Sequence, residues 1–322
     1  MKNKFFKFIS NRTALLALLL LIVIVIFSLA SKWFFTVVNL LGSLQFGAVL
    51  ALVGIGQTII WLGGGGGIDL SVGAMLSFSG VIMGIAYRGG IPLPIGMAMA
   101  IAAGVILGMV NGLLVAYVGI PPLIGTLGTQ YLYSSVALYL TSGMPISGYP
   151  SWFSWISLKT TMEIPNQVLF IVIPVMIIAY LLLYRTTLGR KVYLVGNNAN
   201  AARLCAISPE KTRFWLYTIS GALAGIGSII MCSWLMTSKA NAGENLDMQS
   251  ITVAALGGVS VAGGQGNLLG MVMAVLIITF MNSGLDLCGV NSIWQLALQG
   301  SILIFAIVLN QLIARYSQRG LE

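Results

Sequence analysis

Three polar residues in this apolar chain have positions from which they could bind a solute or accept hydrogen bonds from the backbone. Asp69 and Ser71 belong to residues 63–73, a run with five consecutive glycines, and Asp247 has a similar setting in the second half of the chain. Such a carboxylate could line a path for a polar solute, or it could accept hydrogen bonds from free amides at a helix start. We expect the second, structural role. The predicted joint consists of Gly67, Asp69, Ser71, Gly73 and Asp247.

Several other kinds of chemistry are not predicted. The chain has no GxxxxGK[ST] loop, so we do not expect it to hydrolyse ATP, and its glycine run lacks the lysine of a phosphate cradle. It contains no histidine, and Cys205, Cys232 and Cys288 are far apart, so neither a metal site nor a disulfide framework is indicated. We therefore expect no enzymatic activity and no cofactor.

The composition is typical of an integral membrane protein. Hydrophobic residues make up 58% of the 322 residues and charged residues 7%, with a mean hydropathy of +0.99. The net charge of +9 would suggest nucleic-acid binding in a soluble protein. Here the excess of basic residues in the cytoplasmic loops of membrane proteins explains it, so we expect contact with lipid and not with nucleic acid.

Hydropathy predicts an all-α polytopic membrane protein with a single domain over residues 1–322. The first 30 residues resemble a signal peptide, but their apolar run is long, so we expect them to be retained as the first span. The eighth span is short and glycine-rich, which predicts a broken or tilted helix. The ten predicted spans are 13–31, 44–62, 68–87, 93–117, 122–141, 165–184, 214–236, 249–262, 267–285 and 293–313.

The basic residues predict the orientation of these spans. With the N-terminus in the cytoplasm, twelve of the sixteen Lys and Arg residues fall in cytoplasmic segments and four in outer ones. This is the bias that the positive-inside rule describes. An even number of spans then places the C-terminus in the cytoplasm as well.

The two halves of the chain, about 40–141 and 214–313, share short motifs in the same order. Ile68-Asp69-Leu70 matches Leu246-Asp247-Met248, and Asn111 has a counterpart in Asn282. The offset covers five spans, an odd number, so it predicts an inverted repeat of the kind found in transporters. Glycines at four-residue spacing predict close helix contacts at 104, 108 and 112 and at 221 and 225.

Residues 185–213 form the largest predicted cytoplasmic loop. Asn200–Cys205 is predicted to be a short helix, which Asn198 or Asn200 would cap. Its small and apolar faces favour docking into a groove of a soluble partner. The alternative is a solvated basic loop that only anchors the topology.

Five motifs together resemble one protein family over nearly the whole chain. They are residues 67–73 (Gly-Ile-Asp-Leu-Ser-Val-Gly), 121–128 (Pro-Pro-Leu-Ile-Gly-Thr-Leu-Gly), 187–190 with Gly196-Asn197, 255–264 (Ala-Leu-Gly-Gly-Val-Ser-Val-Ala-Gly-Gly), and 289–290 with Trp294-Gln295. They resemble the permease subunits of bacterial ABC sugar importers of the ribose, xylose and autoinducer-2 type. These permeases are similar to branched-chain amino acid permeases.

The resemblance implies a multi-pass protein of the bacterial inner membrane with several partners. These would be ABC ATP-binding subunits, an extracytoplasmic substrate-binding protein, and a second permease copy or paralogue. It also implies that the short helix meets the ATPase through Asn197, Asn200, Ala201, Ala202, Leu204, Ala206 and Ile207. Asn200 and Ala206 stand where the family has an acid and a glycine. We expect the expanded glycine run to pack against the partner permease.

A transported sugar needs hydrogen-bonding groups and aromatic faces. Candidates near the bundle interior are Gln57, Asn111, Gln130, Tyr131, Asn282, Trp294, Gln295 and Gln299. Hydrogen bonding between helices explains each of them at least as well. An autoinducer-2, branched-chain amino acid or nucleoside cargo stays open. An ion-coupled secondary transporter and a channel-like or scaffold protein are the alternatives from other classes.

Overall fold

The computed structural model describes residues 12–319, so the first eleven residues, with their basic side chains, and the last three lie outside it. The described part of the chain is mostly helical. Its helices are α1 (Arg12–Ala30), α2 (Val37–Leu62), α3 (Val72–Arg88), α4 (Leu93–Gly112, continued by the π-helical Leu113–Val118), α5 (Pro122–Thr141), α6 (Ile173–Arg185, preceded by the π-helical Val168–Val172), α7 (Thr187–Asn197), α8 (Ala199–Leu204), α9 (Pro209–Leu235), α10 (Leu246–Leu256), α11 (Leu268–Leu287) and α12 (Ser292–Arg319).

Two small antiparallel ladders lie in the longer connections. The loop after α5 carries β1 (Ile146–Ser147), which pairs with β4 (Thr237–Ser238) after α9, with Ile146 opposite Ser238. The same loop contains a 3₁₀ helix (Ser151–Trp155) and the pair β2 (Thr160–Thr161) and β3 (Ile164–Pro165). The first ladder therefore ties the ends of α5 and α9 together.

The described residues include six helical segments long and apolar enough to cross a membrane. They are Thr13–Ala30, Val37–Leu62, Leu93–Val118, Val168–Arg185, Pro209–Leu235 and Leu268–Leu287. The predicted all-α polytopic class is confirmed. The predicted eighth span, 249–262, differs in its bounds, because its helix α10 starts at Leu246, has 11 residues and ends at Leu256; its shortness agrees with the expected break. A helix of that length rises about 16 Å, which is roughly half of a bilayer core.

Helix α9 forms the centre of the bundle, and its glycines pack against α4. A Cβ added at Gly221 would lie 2.8 Å from the Cα of Gly108, and one at Gly225 would lie 2.9 Å from the carbonyl oxygen of Ala100. Real Cβ atoms do not approach backbone this closely, so only glycine permits the contact. The predicted small-residue contacts at 104, 108, 221 and 225 are confirmed.

The helices of the two halves pack in a matching pattern. Helix α2 packs against α11, while α9 packs against α4, and α2 and α9 pack against each other. Within each half, α3 packs against α5 and α10 packs against α12. When α2, α3, α4 and α5 are exchanged with α9, α10, α11 and α12 in that order, the same set of packed pairs results. The pair of α2 with α9 is its own counterpart.

Candidate translocation site and coupling segment

The starts of the two short helices, α3 and α10, meet inside the bundle. The Ser77 Oγ of α3 accepts a hydrogen bond of 2.8 Å from the backbone N–H of Gly243, just before α10. A Cβ at Gly73 would overlap the Gly243 carbonyl oxygen, so the backbones touch there. The amino-terminal ends of broken helices often face the substrate site in transporters.

Asp69 is fully buried at the start of α3. Its Oδ1 accepts hydrogen bonds from the Ser71 backbone N–H at 2.9 Å and from the Ser71 hydroxyl at 2.7 Å. Within the described part of the chain, Oδ2 has no hydrogen-bond partner. The carboxylate thus holds the backbone N–H of the residue directly before α3.

A chain of hydrogen bonds runs from Ser71 to α4 and α5. The Nδ2 of Asn111 donates to the Ser71 Oγ at 2.6 Å, and the Asn111 Oδ1 accepts from the Tyr133 hydroxyl at 3.2 Å. That hydroxyl also lies 3.1 Å from the Leu107 carbonyl oxygen, to which it can donate. All three polar side chains are at most 4% exposed, so α3, α4 and α5 share one buried polar cluster.

Asp247 and Gln57 border the same cluster from the second half and from α2. The Gln130 Nε2 of α5 donates to the Asp247 Oδ2 at 3.3 Å. Gln57 is fully buried, and with its amide oriented to suit its neighbours it donates to the Asp69 carbonyl oxygen at 3.2 Å and accepts from the Trp61 Nε1 at 2.7 Å. The structure thus brings Gln57, Asn111 and Gln130 together around the joint.

The other predicted path residues lie elsewhere. On α11 and α12, the Gln299 Nε2 donates to the Asn282 Oδ1 at 3.2 Å, and the Gln295 Nε2 donates to the Asp286 Oδ1 at 2.6 Å. Tyr131 and Trp294 are 68% and 67% exposed. In the single chain neither side chain lies in the packed interior of the bundle, so their role in a path stays a prediction.

Tyr133 is a cluster member that the sequence reasoning missed. The signal that could have identified it is its helical spacing from Thr126 and Thr129, since all three are buried on one face of α5. Thr126 contributes to the same region, because its Oγ1 accepts a hydrogen bond from the Leu70 backbone N–H at 3.2 Å. Among the residues that the structure describes, no three His, Cys, Asp or Glu side chains come together as metal ligands would.

The predicted short helix in the 185–213 segment is present as α8. Asn198 is its cap, since the Asn198 Oδ1 accepts from the backbone N–H groups of Asn200 and Ala201, both at 3.0 Å. Leu204 is 91% exposed, whereas Ala202 is 3% exposed and packs inward. An ion pair between Arg203 and Glu210 ties α8 to the start of α9. The helix therefore presents an apolar side chain to solvent on a fixed backbone.

The glycine run contacts this coupling segment within the same chain. A Cβ at Gly64 would lie 2.8 Å from the Cα of Gly196 at the end of α7, and one at Gly263 would overlap the Cα of Gly64. The backbone N–H of Gly264 donates to the Leu62 carbonyl oxygen at 3.1 Å. We call Gly64, Gly196 and Gly263 the glycine contact. Part of the expanded run thus packs against segments of this chain, while packing of the run against a partner permease stays a prediction.

Two side chains reinforce the glycine contact. The Tyr193 hydroxyl of α7 donates to the Gly266 carbonyl oxygen at 3.1 Å, and the Arg213 Nε of α9 donates to the Gly63 carbonyl oxygen at 3.4 Å. Burial raises the pKa of the Tyr193 hydroxyl above its ordinary value, so it stays protonated and remains a donor. The end of α2, the end of α7 and the loop before α11 are thereby held together.

Ala206 occupies a strained position directly after α8. Its φ is +57°, in the left-handed region that favours glycine. Glycine would adopt this backbone conformation without the steric clash of a Cβ, so alanine keeps the turn at an energetic cost. The turn itself is closed by a hydrogen bond of 3.0 Å from the Ile207 N–H to the Ala202 carbonyl oxygen.

Comparison with known proteins identifies the family of this chain. The profile of the family described as "Branched-chain amino acid transport system / permease component" matches residues 39–307. The chain is 30% identical to the autoinducer 2 import system permease protein LsrD of Yersinia enterocolitica over 91% of its length and 89% of the relative's. It is 31% identical to the LsrD proteins of Photorhabdus luminescens and Salmonella typhi, again over 91% of this chain and 89% of each relative.

No solved structure gives a significant match to this chain. The family profile covers most of the sequence, and it includes both the joint around Asp69 and the coupling segment around α8. The chain therefore belongs to the branched-chain amino acid transport system permease family, as an inner-membrane, multi-pass ABC importer permease.

Proposed function

We propose that this chain is the permease subunit of an ATP-driven importer that carries a sugar or related polyol, which an extracytoplasmic binding protein delivers. Partner subunits, not this chain, would hydrolyse the ATP. One observation carries the proposal: α8 presents Leu204 at the surface and is connected through the glycine contact to the buried joint. A surface helix linked to a buried polar cluster is what energy coupling requires.

The contacts suggest how motion passes from α8 to the cluster. A partner that pushes on α8 would move the end of α7, where Gly196 touches Gly64. Residue 64 lies seven residues before Ser71, whose hydroxyl contacts Asn111 and Asp69. Displacement of α7 would therefore shift the start of α3 against α4 and α5, which opens or closes a path beside the cluster.

The matching helix pairs support a duplication of the halves at about 40–141 and 214–313, because exchanging the halves converts the contact of α2 with α11 into that of α9 with α4. The inverted topology follows from the odd number of proposed passes between the two copies. Ten passes through the membrane with both termini in the cytoplasm agree with the basic residues, counting α3 and α10 as broken passes. Rocking of one half against the other is the usual basis of alternating access.

The polar groups of the cluster favour a neutral cargo over an ion-coupled mechanism. The Asp69 Oδ1 and the Asp247 Oδ2 accept hydrogen bonds from Ser71 and Gln130, so both carboxylates contribute to the joint. The other polar groups of the cluster are amides and hydroxyls, which can form hydrogen bonds with the hydroxyls of a sugar. Autoinducer-2 is the second candidate cargo, because the LsrD relatives at 30–31% identity carry that name.

The exposed aromatic residues point to a second permease subunit. Tyr131 on α5 and Trp294 on α12 are largely exposed in the single chain. A second copy or a paralogue that covers α5 and α12 would place the cargo path between two subunits. Tyr131 and Trp294 would then line that path from this chain.

The coupling proposal is tested by Leu204→Asp with Ile207→Asp in the complex reconstituted with its ATP-binding subunits and binding protein. We expect loss of ATP-driven D-ribose or autoinducer-2 uptake, because two charges would disrupt an apolar docking contact. Met162→Asp is the matched control, since Met162 is 90% exposed but lies in the distant β2–β3 turn. Normal ATPase binding and uptake in the double variant would refute the docking role.

A further inference from the structure

The 3₁₀ helix in the loop after α5 presents a row of large apolar side chains at the surface. Trp152, Trp155 and Leu158 are 50%, 51% and 47% exposed and follow one another at three-residue spacing. Because a 3₁₀ helix has three residues per turn, side chains at this spacing lie on one face. The backbone N–H groups of Ser157 and Leu158 both donate to the Ser154 carbonyl oxygen, which continues the winding to the end of the row. We call Trp152, Trp155 and Leu158 the tryptophan face.

The opposite side of the same segment is fixed to α9 and α2. Phe153 is fully buried, and its carbonyl oxygen accepts a hydrogen bond of 2.6 Å from the Ser233 hydroxyl of α9. The Ser157 hydroxyl donates to the Ile230 carbonyl oxygen at 2.9 Å. The Gln45 Nε2 of α2 donates to the Ser157 carbonyl oxygen. The tryptophan face therefore has a fixed direction relative to the bundle.

The tryptophan face is continuous with an exposed apolar row on a membrane span. The Trp155 ring stacks on Phe170, with ring centres 5.5 Å apart and ring planes 27° apart. Phe170 belongs to the span Val168–Arg185, where exposed apolar residues recur at spacings of three and four and so share one helix face. The proposed second permease subunit covers α5 and α12, which leaves this face of α6 to lipid. The residues of the row are Phe170, Ile173, Ile177 and Leu181.

The lengths of two spans set the depth of the tryptophan face. The 18 residues of Val168–Arg185 rise about 27 Å, close to the hydrocarbon core of a bilayer at about 30 Å. Phe170 is two residues from one end of this span, so Trp155 lies near the boundary of the core. The contact with α2 agrees, because Gln45, bonded to Ser157, precedes Leu62 at the far end of α2 by 17 residues, or about 26 Å.

The side chains at this depth match the chemistry of a headgroup layer. Tryptophan is enriched at membrane–water interfaces, because its ring is apolar while its indole N–H can donate to a headgroup oxygen. Both tryptophans border an open cleft of about 610 Å³, which Lys159 also lines. The Lys159 ammonium group supplies a cation for lipid phosphates beside the two rings. A soluble binding protein docks on surfaces that project into water, so the depth of the face favours lipid as its partner.

We propose that the tryptophan face is a membrane-interface anchor, in which Trp152, Trp155 and Leu158 insert between the headgroups and the acyl chains and Lys159 lies toward the phosphates. The predicted orientation of the spans places the anchor in the outer leaflet. It would fix the depth of the loop after α5, and with it that of α9 and α2. The proposal does not depend on the identity of the cargo.

Contact quenching of tryptophan fluorescence tests the anchor on the full chain in lipid nanodiscs. The emission of Trp152 and of Trp155 is measured as the difference between wild type and Trp152→Phe or Trp155→Phe, since phenylalanine keeps an aromatic ring at each position. We expect phospholipids brominated near the headgroup to remove most of this emission, and phospholipids brominated near the chain ends to remove less. Trp61→Phe is the matched control, because Trp61 is 1% exposed and its emission should survive both lipids.

Leu158→Trp provides a second variant that adds an indole to the same face and leaves the ring stack on Phe170 in place. We expect its additional emission to be quenched by the same brominated lipids, in the same order. Iodide in the aqueous phase is the opposing quencher. Quenching by lipid brominated near the headgroup supports the anchor whether or not iodide also reaches the rings.

Three results would overturn the anchor. Quenching by iodide without quenching by brominated lipid would show that the face projects into water, where a soluble partner such as the binding protein could cover it. Quenching by neither would show that protein covers the face. Stronger quenching from bromine near the chain ends than from bromine near the headgroup would place the rings inside the hydrocarbon core and not at its boundary.

Discussion

Alanine at Gly64 is the sharpest test of the link between the coupling segment and the buried joint. Gly64 has a φ of +70°, and a Cβ there would lie 2.8 Å from the Cα of Gly196. The left-handed backbone costs an alanine about 1 kcal/mol. The close contact adds about 1–3 kcal/mol, as in other overpacked sites, because backbone cannot move aside like a flexible side chain.

Gly66→Ala is the matched control for this prediction. Gly66 has a similar φ of +65°, but a Cβ there would meet nothing within 4 Å. It should therefore cost only the conformational term of about 1 kcal/mol. The difference between the two variants, about 1–3 kcal/mol, measures the glycine contact alone.

Thermal unfolding of both variants in nanodiscs and ATP-driven uptake by the reconstituted complex are the two assays. At about 2 °C per kcal/mol for a chain of this size, Gly64→Ala should melt roughly 2–6 °C below Gly66→Ala. ATP-driven uptake should also fall further in Gly64→Ala than in Gly66→Ala, because the end of α7 would no longer pack against Gly64. Equal melting temperatures and equal uptake for the two variants would refute the reasoning.

Two further predictions follow from other positions. Ala206→Gly should raise the free energy of unfolding by about 0.5–1 kcal/mol, because glycine tolerates the φ of +57° there; a lower melting temperature than wild type in the same thermal assay would contradict the assignment of strain. Asn111→Leu should lower the free energy of unfolding by roughly 1–3 kcal/mol, because the buried Ser71 and Tyr133 hydroxyls lose a partner. Chemical denaturation measures this loss, and wild-type stability in Asn111→Leu would show that the hydrogen-bond chain contributes nothing.

Local patterns in the sequence determined much of this protein. The hydropathy identified the all-α membrane class, because each span must satisfy its own backbone in lipid. The capped helix at Asn198 and the glycine face of α9 were also predictable, since capping and four-residue spacing act within one or two helical turns.

Only the tertiary structure decided which polar residues meet. Asn111 and Gln130 come to the Asp69 cluster, while Asn282 and Gln295 line a separate cleft, and Tyr131 faces outward. All five were equivalent as polar or aromatic residues in apolar sequence. The rotation of each helix about its axis, set by packing against distant segments, determines what each side chain contacts. The same holds for the glycine run, whose neighbour Gly196 is 132 residues away along the chain.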